Sequence, residues 1–285
     1  MNKNPDVNNK IEEEAIKIIK RNEFRRRIFS YICGGVGIIS LLYAFHYYSG
    51  QDDLSDQNSG LSDRKDIVSE DNDGYELVMN PELLIEQEDG STKEMIPEYL
   101  DLYKLNKNLI GWIKIADTIV DYPVLQTIDN EFYLTHDFKQ DYNRGGSIFL
   151  DKRCDFSKPS TNLILYGHNL KSEKMFGTLK YYKSEDYYKE HSVIGFDTLY
   201  EKGQYQIVFV FESDIYQEKD VVFKYYDFID ANSEHEFNSN IQEMDKISIY
   251  DTGYDVEYGD ELLTLSTCDN NESTKRFVIV AKKIN

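Results

Sequence analysis

The sequence predicts a mainly β fold, a closed or nearly closed barrel with a few peripheral helices, carried behind one N-terminal membrane span. Three observations lead there. Short β-branched and aromatic runs recur from about residue 111 onward, with Gly, Asp and Asn between them. Tyrosine (23) and phenylalanine (15) are abundant, which favours strands over a helical bundle. One long uncharged stretch near the N-terminus stands apart from this pattern.

Residues 1–27 are polar and end in a basic cluster: Lys17, Lys20, Arg21, Arg25, Arg26 and Arg27. Ile28 to Tyr48 follows, 21 residues without Asp, Glu, Lys or Arg. At about 1.5 Å per residue, that length matches the ~30 Å hydrocarbon core of a bilayer. Tyr43, Tyr47 and Tyr48 crowd its far end, where amphipathic rings favour the interface. The positive-inside rule then puts residues 1–27 in the cytoplasm and everything after the span outside the cell. A cleaved signal peptide is the alternative, but the run is long and no small-x-small cleavage site follows it. Cys33 lies within the span and reads as a small apolar residue.

Residues 49–94 are rich in Asp, Glu, Ser, Asn and Gly and show little apolar periodicity. Such a segment buries too little surface to offset its ordering entropy, so a flexible acidic linker is expected. Within it, Pro81–Glu88 reads as a short helix. The folded domain is expected over residues 95–285. Pro97–Asn106 carries Tyr99, Leu102, Tyr103 and Leu105 at helical spacing. Strands are expected at Gly111–Ile115, Ile119–Pro123, Ser147–Leu150, Asn162–Tyr166, Val193–Leu199, Tyr205–Phe211, Val221–Phe228, Leu262–Thr267 and Phe277–Lys282. Two helical stretches interrupt them. One is Met175–His191, broken near Ser184. The other is Ser233–Asp245, with Ser233 as N-cap and Glu236 three residues on.

The net charge of −20 makes the chain a poor nucleic-acid binder. Its three cysteines, Cys33, Cys154 and Cys268, make neither a disulfide framework nor a metal cluster. No CxxC, HExxH or Gly-rich phosphate loop is present, and the acidic residues are scattered rather than grouped like calcium ligands, so neither metal nor cofactor is expected.

The chemistry centres on the last two strands. Leu262-Leu263-Thr264-Leu265-Ser266-Thr267 ends at Cys268, and Arg276 opens the next apolar run. A thiol at the end of a buried strand with a fixed cation beside it presents an activated sulfur nucleophile. Of five histidines, His46 sits at the membrane boundary, His235 in a polar helical stretch, His191 at the end of a charged helix and His136 in a surface segment. His168 differs, because it follows the apolar run Leu163–Tyr166 and a glycine, at a strand exit like that of Cys268. Spacing alone leaves open a solvated loop histidine.

Tyr166-Gly167-His168-Asn169, then Thr264-Leu265-Ser266-Thr267-Cys268 and an arginine on the following strand, resemble the sortases, membrane-anchored cysteine transpeptidases of Gram-positive bacteria. Gly111-Trp112-Ile113, Asp121-Tyr122-Pro123-Val124, Asp129-Asn130, Gly145-Gly146-Ser147-Ile148-Phe149 and Met175-Phe176 belong to the same resemblance, which runs from about Leu100 to the C-terminus. The Leu-Ser-Thr-Cys form and the helix before the cysteine strand look like class B. The resemblance implies a closed eight-stranded barrel with N-terminal helices and no cofactor. It implies that Cys268 attacks a carbonyl in the C-terminal sorting signal of a secreted protein. His168 would protonate the leaving amine and then deprotonate the incoming one, on lipid II or peptidoglycan. Arg276 would hold the substrate carbonyl. Asn143 resembles part of the substrate groove by position.

Ser266 lies two residues before Cys268, on the same strand face, as a substrate contact or a packing hydroxyl. Tyr254, in the loop before the cysteine strand, is a candidate groove residue or an ordinary surface tyrosine. Asp151 and Asp269 read as solvated or structural. Cys154 is expected as a free thiol, with a pair to Cys268 the alternative. The other functions to separate are a hydrolytic cysteine peptidase, a pilus-assembling sortase and a non-catalytic surface domain.

Overall fold

The computed structural model describes residues 53–66, 84–86, 90, 92–268 and 275–285, and before them 21, 24–26, 29, 32 and 35–44. The chain divides into two units, Met1–Gly50 and Gln51–Asn285. In the first, the described residues are helical, and Val36, Ile38, Ile39, Leu41 and Leu42 are exposed. Among the described residues no helix is long and apolar enough to cross a membrane. Parts of the expected Ile28–Tyr48 span, including Cys33 and His46, lie outside them.

The second unit is built on eight strands: β3 (Leu109–Lys114), β4 (Asp121–Leu125), β5 (Ile148–Leu150), β6 (Asn162–Gly167), β7 (Val193–Thr198), β8 (Gln204–Asp214), β9 (Leu262–Cys268) and β10 (Lys275–Lys283). They close in the order β10-β8-β7-β3-β4-β5-β6-β9, with β9 paired to β10. Two neighbouring pairs, β4–β5 and β6–β9, are parallel. Parallel strands are covered on both faces and read as continuous apolar runs, which explains Leu163–Leu165 and Leu262–Leu265. Leu263 and Leu265 join one apolar cluster with Leu163, Ile164 and Leu165. Leu262 belongs to another, with Phe237 and Met244 of the helix α4 (Glu234–Ile247). Ser233 caps α4 by accepting from the Glu236 N–H, as its sequence signature indicates.

Before the barrel, α2 (Pro97–Leu105) has proline in its first turn and buries Tyr99 and Leu102. The expected Met175–His191 helix is shorter. It consists of a 3₁₀ turn at Leu179–Lys183 and α3 (Glu185–Glu190), separated at Ser184, which caps α3. Close strand approach also constrains Gly111, where a Cβ would sit 1.9 Å from the backbone oxygen of Asp197 on β7.

Three expectations are corrected. The segment expected as a flexible linker contains a helix, α1 (residues 53–66). Leu54, Asn58, Leu61 and Lys65 are buried, at spacings that form one helical face. Half of that face is Asn and Lys, so it shows no hydrophobic period. Lys65 lies over the Trp112 ring at 4.8 Å, its ammonium attracted to the π-face and its stem packed. Second, within Pro81–Glu88 the described residues are not helical. Leu84–Glu86 is strand β1, paired antiparallel with β2 (Thr92–Glu94). Third, Val221–Phe228 is not a strand. It is irregular, with a 3₁₀ turn at Tyr225–Asp227. Its composition is strand-like, but both edges of β8 are already taken, by β7 and β10. The segment instead buries Tyr225 and Phe228 and leaves Val221 fully exposed.

Candidate active site

Three strands bring the candidate residues to one end of the barrel. β6 and β9 run parallel in a register that ends with Gly167 opposite Thr267. His168 and Cys268 are the residues that follow this last pair on their two chains. On the other side, the antiparallel β9–β10 ladder pairs Arg276 directly with Cys268. Neighbouring strands lie about 4.8 Å apart, so the Cys268 backbone lies beside that of Arg276, while β6 on the other side of β9 ends one residue before His168. A hundred residues of sequence separate His168 from Cys268, and the ladder removes that distance.

Beside them lies a pocket of about 310 Å³, with Leu134, Tyr166, His168, Tyr225, Ser266 and Arg276 in its lining. His168 is half-buried, and its Nε2 lies 2.8 Å from the Leu134 carbonyl oxygen. A carbonyl only accepts, so Nε2 carries a hydrogen and donates it. Nδ1 is therefore the ring nitrogen left for proton exchange. Arg276 is half-buried, and its Nη1 donates to the Lys275 carbonyl at 3.2 Å. Ser266 is buried, its Oγ 2.7 Å from the Tyr225 hydroxyl, so it both packs and lines the pocket.

Two further candidates lie elsewhere. Asn143 does not line this pocket. Its side-chain oxygen accepts from the Gly145 N–H and shapes the turn that feeds β5. Tyr254 lines a different hollow, with Phe209, Ile241 and Val256. The reason is topological. Its loop enters β9 at Leu262, six residues before Cys268, or about 20 Å along the strand. Sequence position before a catalytic strand says nothing about which end of the strand is near.

Arg153, Tyr225 and Tyr226 also line the pocket with no sequence signal to mark them, beside Phe149, which lies within the resemblance. Tyr166 was legible in principle, because it precedes His168 by two residues on one strand. Asp151 lines the pocket too, but it is fully buried and structural rather than solvated. Asp269 lies outside the described residues.

Cys154 is a free, buried thiol whose Sγ donates to the Asn162 carbonyl. Burial pushes its pKa up to about 12. Only the thiolate reacts readily, so at pH 8 iodoacetamide should modify Cys268 in the native chain and leave Cys154 untouched. Peptide mapping of the alkylated protein checks this, and prompt labelling of Cys154 would contradict it.

A family model described as the sortase domain matches residues 113–284. Sortase B of Staphylococcus aureus is 35% identical over 190 residues, covering 66% of this chain and 75% of that protein. This chain belongs to the sortase family. Sortase B of Listeria monocytogenes is 34% identical over 193 residues, 67% of this chain and 76% of that one. A Staphylococcus aureus sortase B–substrate complex superposes with a TM-score of 0.68 at 29% identity, over 82% of this sortase and 98% of that chain. A Bacillus anthracis sortase B gives 0.66 at 28% identity, over 84% and 99%. The chain is thus a cysteine transpeptidase by family, of the sortase B kind.

Proposed function

We propose that this sortase cleaves the C-terminal sorting signal of secreted proteins and transfers them to an amine of the peptidoglycan precursor, with Cys268, His168 and Arg276 as its catalytic residues. Supporting the reading, β9–β10 pairs Cys268 with Arg276, and β6–β9 pairing runs to Gly167 opposite Thr267, the residues just before His168 and Cys268. The Cys268 sulfur attacks the scissile carbonyl. The C–N bond breaks as the C–S bond holds, and His168 gives its proton to the leaving amine. The incoming amine, of lipid II or a cross-bridge, then attacks the thioester and gives a proton to His168. The thiolate leaves, and the enzyme is restored. Arg276 donates to the carbonyl oxygen as negative charge develops on it. Ser266, on the pocket wall, is a substrate contact in this scheme. No cofactor takes part.

The test is transfer against hydrolysis. The detergent-solubilised full chain is given quenched Asn-Pro-x-Thr-type peptides with and without triglycine. Mass spectrometry should find the ligated peptide when triglycine is present. Hydrolysis alone, at saturating amine, would make the protein a peptidase.

The same reading makes Ile28–Tyr48 a membrane anchor, with residues 1–27 cytoplasmic and the catalytic unit outside. Supporting it are the uncharged run, the basic cluster before it and the exposed apolar side chains of residues 36–42. In cells expressing the full chain, it should stay with membranes through a high-salt and alkaline carbonate wash. Release by the wash would remove the anchor from the account.

A further inference from the structure

The pocket holds a second arginine, and its contacts give it a different task from Arg276. Asp151 follows β5 and is 0% exposed. A buried carboxylate is costly unless its lone pairs are used. Its oxygens accept from Arg153 Nε at 3.0 Å, from Arg153 Nη2 at 2.8 Å, from the Arg153 backbone N–H at 2.9 Å and from the Tyr166 hydroxyl at 3.0 Å. Burial alone would raise the Asp151 pKa, but the hydrogen bonds and charge of Arg153 outweigh it and leave the carboxyl below its usual range. It is an anion at any pH near neutrality.

The groups it holds belong to different elements of the pocket lining. Tyr166 stands on β6, two residues before His168. Arg153 reaches the other way, donating to the Tyr226 carbonyl and pairing with Asp227 at 3.5 Å. Both belong to the 3₁₀ turn at Tyr225–Asp227, and Tyr225 meets Ser266 on the strand of Cys268. One buried anion therefore links the β6 wall to the turn, and through Tyr225 to β9. The link adds to what else holds the turn, namely the buried Tyr225 and Phe228 and the Asn162 side chain that donates to the Phe228 carbonyl.

We propose that Asp151 and Arg153 are a positioning pair for this active site, fixing Tyr166 and the Tyr225–Asp227 turn so that the substrate peptide meets a preformed groove. The proposal rests on reading the pocket as the active site. The proposed mechanism gives neither residue a part in the chemical step. Their loss therefore weakens substrate capture more than it slows the chemical step.

The experiment uses the detergent-solubilised full chain, with Arg153→Lys, Asp151→Asn and Tyr166→Phe beside Cys268→Ala. Three readouts are taken: KM and kcat on a quenched Asn-Pro-x-Thr-type peptide, the iodoacetamide rate at Cys268, and amide exchange at Tyr225–Phe228. Lysine keeps the charge but cannot span Asp151 and the turn together. Arg153→Lys should raise KM at least about fivefold, with kcat and alkylation within about twofold. Amide exchange at Tyr225–Phe228 should quicken by about tenfold or more. Tyr166→Phe should raise KM less, since it frees one contact of the network. Unchanged KM and exchange in Arg153→Lys would overturn the proposal. So would kcat, KM and alkylation all changing in step with a lost folded fraction, since that marks plain stabilisation. If Asp151→Asn does not fold, Arg153→Lys decides. If Cys268→Ala still cleaves, the active-site reading fails, and the exchange measurement, which needs no substrate, still decides whether the pair holds the turn.

Discussion

Cys268→Ala is expected to abolish cleavage and transfer together, by roughly 10³-fold or more, while the protein stays folded. The β9–β10 ladder is made by backbone groups, so an alanine at 268 leaves the Arg276 pairing in place. What disappears is the atom proposed to form the thioester. His168 and Arg276 would remain, but they have no nucleophile to assist. Peptide cleavage by the purified variant, with hydrogen exchange to confirm the intact barrel, checks the expectation. Cleavage at the parental rate would mean that another group attacks.

Arg276→Ala is expected to lose about 10²- to 10³-fold, chiefly in kcat, as when a fixed oxyanion donor is removed. The ladder fixes the Arg276 backbone opposite that of Cys268. Charge on the carbonyl oxygen grows only as the sulfur adds, so the contact is worth most in the transition state. Arg276→Lys should recover little. An ammonium offers a point charge in place of a planar fork and holds one geometry poorly. Full kcat in Arg276→Lys would show that charge alone suffices, and full kcat in Arg276→Ala would remove the arginine from the mechanism.

The last two strands were readable in the sequence because both faces of β9 are covered, so Leu262, Leu263 and Leu265 alternate only with small buried hydroxyl residues up to Cys268. The His168 exit was readable for the same reason on β6. The meeting of these residues was not, since a parallel register is set by packing across the barrel. The resemblance to sortases implies it, and the Gly167–Thr267 and Cys268–Arg276 backbone pairings are compatible with it. α1 was hidden because Asn58 and Lys65 occupy half of its buried face. Val221–Phe228 misled because composition reports an affinity for strand, and strand needs a free edge. Tyr254 misled because a loop's place in sequence does not reveal which rim of the barrel it serves. Asp151 reads in sequence as solvated or structural, and the choice between them is not legible there because a lone carboxylate does not show the Arg153 and Tyr166 that close around it.

The most direct measurement is to catch the acyl group on the protein. The full chain is mixed with a quenched Asn-Pro-x-Thr-type peptide in the absence of amine, quenched in acid and mapped by mass spectrometry. The account predicts the N-terminal part of the peptide joined to Cys268 as an amine-labile thioester. Turnover with the acyl group on any other residue, or with Cys268 unmodified throughout, would contradict it.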